Sequence, residues 1–295
     1  MYVDKYGLVE HYYGPAGRIV LPPSVRELGT ELFLDREDIT EVVLNKGLET
    51  IGILAFCGTG IHSIDIPDSV DWISIGAFAR CKNLTAVRLP KFMYMVDMDL
   101  FYDCENLRKV ILPEILDEIE QDAFAYCTSL TEIDFPDTLG SIGARSFANA
   151  GLKALRIPAS VTTIETEAFV DCYDLSHVLI EGKEVFIADD AFPEEVILTA
   201  PYIPPEKLPE GNRLLSVVGF AEWCAEGNVP SHTAMNAYRF YLRTHAKDFY
   251  RFAAEYPAVG SLLASEGFLP GELIDQLKMG SLSAIEALFQ NITEN

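Results

Sequence analysis

The chain carries its apolar residues in fixed slots that recur every 22 or 23 positions. Phenylalanine marks the step, at Phe33, Phe56, Phe78, Phe101, Phe124, Phe147, Phe169 and Phe192. Five residues before each stands Leu28, Ile51, Ile73, Val96, Ile119, Ile142, Ile164 or Ile187. Eight before stands Val25, Leu48, Val70, Met93, Leu116, Leu139 or Val161, and in the last unit Glu184 breaks the slot. After the phenylalanine comes an alternating pair, as in Val87/Leu89, Val110/Leu112, Ile133/Phe135 and Leu155/Ile157. A period of two predicts a strand with both members facing inward. Pro67, Pro90, Pro113, Pro136 and Pro158 then end these strands, because proline cannot donate to a ladder.

One such unit cannot bury its apolar face alone, so neighbours must stack and share it. The period lies within the leucine-rich-repeat range of roughly 20–29 residues. Alanine precedes five of the phenylalanines (Ala55, Ala77, Ala123, Ala168, Ala191), which predicts a corner too tight for larger side chains. Residues 1–31, with the turn signal Tyr13-Gly14-Pro15, read as an irregular cap over the open apolar end.

The period vanishes after Phe192. Residues 199–212 carry four prolines and read as a linker or a strapped boundary. Helical signals follow. Ser231 can serve as an N-cap, and Met235, Tyr238, Leu242, His245, Phe249, Phe252 and Tyr256 recur at steps of three and four as one buried stripe. Pro257, Gly267, Pro270 and Gly280 punctuate the remainder. A capping box, Ser283-Ala-Ile-Glu286, opens a last helix with Leu282, Ile285, Leu288 and Ile292 on one side. The expected class is α+β: a solenoid of about eight repeats with its cap over 1–200, then a Pro-rich linker and a small all-helical domain over 201–295. With Glu184 in an apolar slot, the helices are expected to cover the last coil.

The phrase Cys-x-x-Leu-x-x-Val/Ile-x-Leu-Pro-x-Ser/Thr-Val-x-x-Ile-Gly-x-x-Ala-Phe is matched closely by Ile64 through Cys81 and by Ile133 through Phe147. It resembles the BspA-type leucine-rich repeat of many bacterial proteins, over about residues 15–192. The resemblance implies an interaction or adhesion module, often on a cell surface, and brings no shared catalytic residues.

Charge narrows the partners. With 22 basic and 45 acidic residues the net charge is −23. This argues against nucleic acid and against anionic membrane surfaces, and a steered partner would be basic. The first residues show no basic segment followed by an apolar run, and no stretch approaches the ~18 apolar residues of a membrane span. As written, the chain reads as cytoplasmic; a surface protein trimmed of its signal would read the same.

Candidate chemistry is sparse. Cys81, Cys104, Cys127 and Cys172 share the slot three residues after the phenylalanine, with Ala150 standing in once, and read as a column of buried thiols rather than a metal or redox ladder. No C-x-x-C pair, H-E-x-x-H, P-loop or G-x-S-x-G occurs, and no cofactor is expected. His245, on the apolar stripe, reads as a core histidine bonded to a neighbour, and His177 as a surface residue.

Binding residues are sought at outward strand positions: Glu41, Asp65, Arg88, Lys109, Ile111, Glu132, Asp134, Arg156, His177 and Leu179, with Ile111 and Leu179 as exposed apolar members. A second candidate is the cluster Phe92, Tyr94 and Met95 in the least regular unit. The expected function is a non-enzymatic protein-interaction module or scaffold. The alternatives are a cell-surface adhesin, helices that bind while the solenoid acts as spacer, or an enzyme with its site in or beside the helices near His232 or His245.

Overall fold

Short parallel strands, two to most coils, build the repeat. In the computed structural model, which describes residues 1–267, the first strands are β1 (Leu8–Val9), β2 (Gly17–Val20), β3 (Glu27–Leu28), β4 (Ile39–Val43), β5 (Thr50–Ile51) and β6 (Ser63–Asp65). They continue as β7 (Trp72–Ile73), β8 (Ala86–Arg88), β9 (Met95–Val96), β10 (Lys109–Ile111), β11 (Glu118–Ile119) and β12 (Ser141–Ile142). The last are β13 (Ala154–Ile157), β14 (Thr163–Ile164), β15 (His177–Ile180), β16 (Phe186–Ile187) and β17 (Ile197–Thr199). The chain forms two compact units: Met1–Ser176 with Glu184–Pro193, and His177–Lys183 with the residues from Glu194 onward.

In the first unit the coils expose two walls. On one, β2 pairs with β4, and β6, β8 and β10 form a ladder; on the other run β1-β3-β5-β7 and β9-β11-β12-β14-β16. Register is one period, as in Ile51↔Ile73 and Ile119↔Ile142. Each proline opens a turn between the walls, its carbonyl accepting from the residue three later (Val70 N to Pro67 O, 3.0 Å; Leu139 N to Pro136 O, 3.1 Å).

The core is columnar. The eight phenylalanine rings stack at centroid spacings between 4.9 and 5.7 Å. The slots five and eight residues before them are buried from Leu28 to Ile187 and from Val25 to Val161, whereas Glu184 is exposed. Tyr12 closes the first end of the column, edge-on to Phe33 at 5.4 Å. The cap therefore supplies an aromatic in the phenylalanine slot, which the sequence signal of a repeated phenylalanine did not reveal.

The corners holding the rings from Phe33 to Phe169 use left-handed backbone. Residues two before and two after the phenylalanine have positive φ, for example Asp122 (53°) and Tyr126 (62°) around Phe124, and glycine fills such a position only at Gly58 and Gly76. This geometry points alternate amides at the next coil: Glu31 N to Ile53 O, Phe33 N to Ala55 O and Asp35 N to Cys57 O, each 2.8 Å. From Phe33 to Phe147, three such bonds per corner offset the cost of left-handed L-residues, about 1–2 kcal/mol each.

Two expectations need correcting here. The alanine slot is not closed to larger residues: Leu32 and Leu100 occupy it and are buried. Small neighbours, Ala77 and Ala123, leave room for Leu100. The strand expected across Ile133 and Phe135 is not formed, although both side chains are buried. Side-chain burial holds this segment without a ladder, and its outward residues, Glu132 and Asp134, have poor strand propensity.

In the second unit β15 pairs with β17, and α1 (Arg213–Ala225) packs on β17 through Gly219, where an added Cβ would lie 3.0 Å from Ile197 Cγ2. Residues 199–212 are strapped down, with Ile203 and Leu208 buried and Asn212 Nδ2 donating to Val196 O (3.2 Å). Ser231 caps α2 (His232–Thr244), accepting from Ala234 N at 3.1 Å. Tyr238, stacked on Phe220 at 3.8 Å, donates its hydroxyl to Ala200 O. The expected continuous stripe divides at His245, beyond which run α3 (Ala246–Glu255) and α4 (Pro257–Ser265). Tyr238, Leu242, Phe249 and Phe252 are buried as expected, but His245 is half-buried at the break rather than in the core. Its Nδ1 donates to Tyr241 O (3.0 Å), which also accepts from the His245 amide at 3.1 Å and so closes the end of α2. Pro270, Gly280 and the capping box Ser283–Glu286 with its apolar side lie outside the described residues.

Replacing Phe124 with alanine removes one ring from mid-column and is expected to destabilise the protein by about 3–5 kcal/mol, read as a lowered urea midpoint. Ser146 occupies the alanine slot with its hydroxyl buried and unpartnered. Ser146→Ala is therefore expected to stabilise the protein by about 1–3 kcal/mol, read as a higher urea midpoint.

Candidate interaction surface

The first wall brings some of the outward residues into rows and leaves others apart. Asp65, Arg88 and Ile111 align across β6, β8 and β10, and Lys109 aligns with Ala86 in the parallel row. Glu41 lies on β4 and pairs with Arg18 of β2 at 2.9 Å. Glu132 and Asp134 are exposed on the segment without a ladder. Arg156 is exposed on β13. His177, exposed, and Leu179 lie on β15 in the second unit, and Leu179 is half-buried beside Thr199 of β17, not exposed as expected.

The two arginines are braced by carboxylates of the proline turns. Arg88 bonds Asp68 (2.7 Å) and Ile66 O (3.0 Å), and Arg156 bonds Asp137 (2.8 Å). The Arg88 guanidinium, with help from Lys91, holds the Asp68 carboxyl down at about 2. Ile111, 47% exposed, and Val20 of β2, 56% exposed, are apolar features of this wall.

The second wall is more apolar. Phe92 is 66% exposed, Tyr94 50% and Trp72 38%, while Met93 and Val96 beside them are buried as the repeat requires. Trp72 and Tyr94 stand 6.5 Å apart, and the indole Nε1 donates to Ser74 Oγ at 2.8 Å. Ile75 and Ile115 are also exposed. Trp72 was missed in the sequence because its neighbours, Val70 and Ile73, keep the repeat pattern and nothing in that pattern flags the residue between them.

The thiol column is structural. Cys81, Cys104, Cys127 and Cys172 donate to the carbonyls of Phe56, Phe78, Phe101 and Phe147, each in an earlier coil, at 3.0–3.2 Å. Burial pushes the Cys81 and Cys172 thiols up to about 12 and raises Cys104 and Cys127 as well. In the helical unit, His232 is exposed and bonded to Asn236, and the His245 ring stacks on Tyr241. Among the described residues no helix is long and apolar enough to cross a membrane.

These coils carry one repeat signature. The pattern of the BspA-type leucine-rich repeat region matches residues 12–115 and 94–208, in six copies. The chain belongs to the BspA-type leucine-rich repeat family.

No curated protein matches the chain. Among solved structures, this BspA-type chain is similar to a leucine-rich repeat protein from Eubacterium ventriosum, with 24% identity and a TM-score of 0.53 over 57% of this chain and 47% of that one. It is similar to another from Bacteroides ovatus, with 24% identity and a TM-score of 0.46 over 61% and 62% of the two chains. A third, from T. pallidum, has 25% identity and a TM-score of 0.45 over 63% and 82%. The chain thus spans about half to three-fifths of the length of the first two. These likenesses concern the solenoid fold.

The thiol geometry gives a direct check. A thiol reagent at pH 8 is expected to leave the four column cysteines unmodified in the native protein, because their thiolates form only well above that pH. In denaturant all six cysteines of the chain should react. Rapid native modification of Cys104 would contradict the bonding described.

Proposed function

We propose that this BspA-type chain is a non-enzymatic protein-interaction module or scaffold that binds a protein partner through its solenoid surface. The observation that carries the reading is the group of exposed apolar side chains, Trp72, Ile75, Phe92, Tyr94 and Ile115, on three consecutive coils whose inner columns are fully packed. Exposed aromatics on a rigid support are the residues that anchor protein interfaces, since little side-chain freedom is lost when they are covered. The outward residues of the first wall, Asp65, Arg88, Lys109 and Ile111 with Glu41, Glu132, Asp134 and Arg156, offer a second, more polar face. In the second unit, His177 and Leu179 of β15 are separate candidate contacts.

Affinity capture with the full-length protein from lysate of its source cells tests this. Wild-type protein is expected to retain a protein partner that is depleted about tenfold when Phe92→Ser and Tyr94→Ser are combined, or when Lys109→Glu and Ile111→Ser are combined. A partner held equally by both variants, or none held by the wild type, would overturn the assignment of binding to the solenoid surface.

A further inference from the structure

The second wall is split at one coil boundary. Its ladder runs from β1 to β7 and again from β9 to β16, but β7 and β9 are not paired. The coils stay joined elsewhere: Gly76 N bonds Met98 O (2.9 Å), Arg80 N bonds Tyr102 O (2.7 Å), and β8 pairs with β10. Between β7 and β9 lies a slot of about 10 Å³ lined by Asp71, Trp72, Ile73, Met93, Tyr94 and Met95. That volume admits a single water at most, so a ligand here must lie across the slot and not within it.

The surroundings of the slot are aromatic and acidic. Trp72, Tyr94 and Phe92 project from its two sides and are exposed. The four equivalent stretches 47–53, 69–75, 92–98 and 115–121 contain Glu49, Asp71, Asp97, Asp117, Glu118 and Glu120 and no lysine or arginine. Glu49 faces Arg26 at 3.8 Å; among the described residues the other five make no ion pair. The carboxyl of Glu120 is raised by burial and by the neighbouring charges of Glu118 and Asp97. Negative charge is therefore concentrated here: Arg26 answers Glu49 and the nearby Lys91 is held by Asp68 (3.2 Å), whereas on the first wall Glu41 and Asp137 are each paired with an arginine.

We propose that the aromatic slot between β7 and β9 docks an extended lysine- or arginine-rich segment of a partner protein. The proposal rests on the interaction reading above and names the chemistry of the partner. Aliphatic stems of such side chains cover the rings, their cationic ends gain ring-face and carboxylate contacts, and each contact relieves repulsion among the acids. A second copy of this chain, at −23, would bring like charge onto like. A neutral glycan could stack on the rings but would leave the carboxylates unanswered.

The test uses full-length protein carrying Trp223→Phe, so that Trp72 is the remaining indole. The probe is a short peptide alternating lysine and valine, with a glutamate–valine peptide and a linear glucan oligosaccharide as comparators. The lysine peptide is expected to change Trp72 emission, and its affinity should fall as salt rises. Combined Phe92→Ser and Tyr94→Ser, which leave the net charge unchanged, should weaken it about tenfold. Asp71→Asn with Asp117→Asn should weaken it comparably, whereas Asp174→Asn with Asp189→Asn, the same charge change on exposed residues several coils away, should not. Absence of lysine-peptide binding, equal losses from both acid pairs, or a response to the glucan or the glutamate peptide would overturn the proposal. If a lysate partner is lost with Phe92 and Tyr94 yet the lysine peptide fails to bind, the partner chemistry is wrong and the interaction reading stands.

Discussion

The stacking of one phenylalanine ring on the next, coil after coil, is the contact on which the first unit depends. Ring spacings of 4.9–5.7 Å are close to the separation that parallel strands require, so packing and hydrogen bonding ask for the same pitch. From Phe33 to Phe169 each phenylalanine also donates its own amide to the following coil, which locks the ring column to the backbone. The widest spacing, 5.7 Å between Phe78 and Phe101, falls at the coil boundary where the second wall loses its ladder.

Burying so regular a column obliges the polar groups around it to find partners in neighbouring coils. Corner amides reach forward to the next coil, and the cysteine thiols reach back to phenylalanine carbonyls. Thr59, in the cysteine slot of its own coil, bonds Phe56 O with a hydroxyl at 2.8 Å. On the surface the basic residues are spent across coils: Arg80 on Asp35, Lys82 on Asp103 and Glu105, and Arg145 on Asp122 and Glu167. Exposed pairs of this kind are each worth about 0–1 kcal/mol, so their main effect is on where charge remains. With 22 cations among 45 acids, some coils must be left acidic, and those around β7, β9 and β11 are.

A binding face on such a scaffold costs the fold little. Outward residues do not enter the columns, so Phe92 and Tyr94 can be exposed while Met93 and Val96 between and beside them keep the core slots filled. The unit that departs furthest from the repeat consensus is thus also the unit where the surface departs furthest from an ordinary solvated sheet.

Much of this was legible in the chain, because a repeat states each rule many times. The phenylalanine step, the two slots before it and the proline turns fixed the columns, since a side chain in a stack has the same neighbours in every coil. The helical unit was legible in its buried stripe, but not in its break at His245, which depends on how α2 and α3 pack. Three things required tertiary structure. Leu100 fits the alanine slot only because Ala77 and Ala123 flank it in space. Tyr12 closes the column although it follows no consensus, since closing an end requires only an aromatic in the right place. The wall opens between β7 and β9 because pairing is a property of two coils together, whereas each coil alone, Asp71-Trp-Ile73 or Tyr94-Met-Val96, keeps the same apolar slot as the coils that do pair.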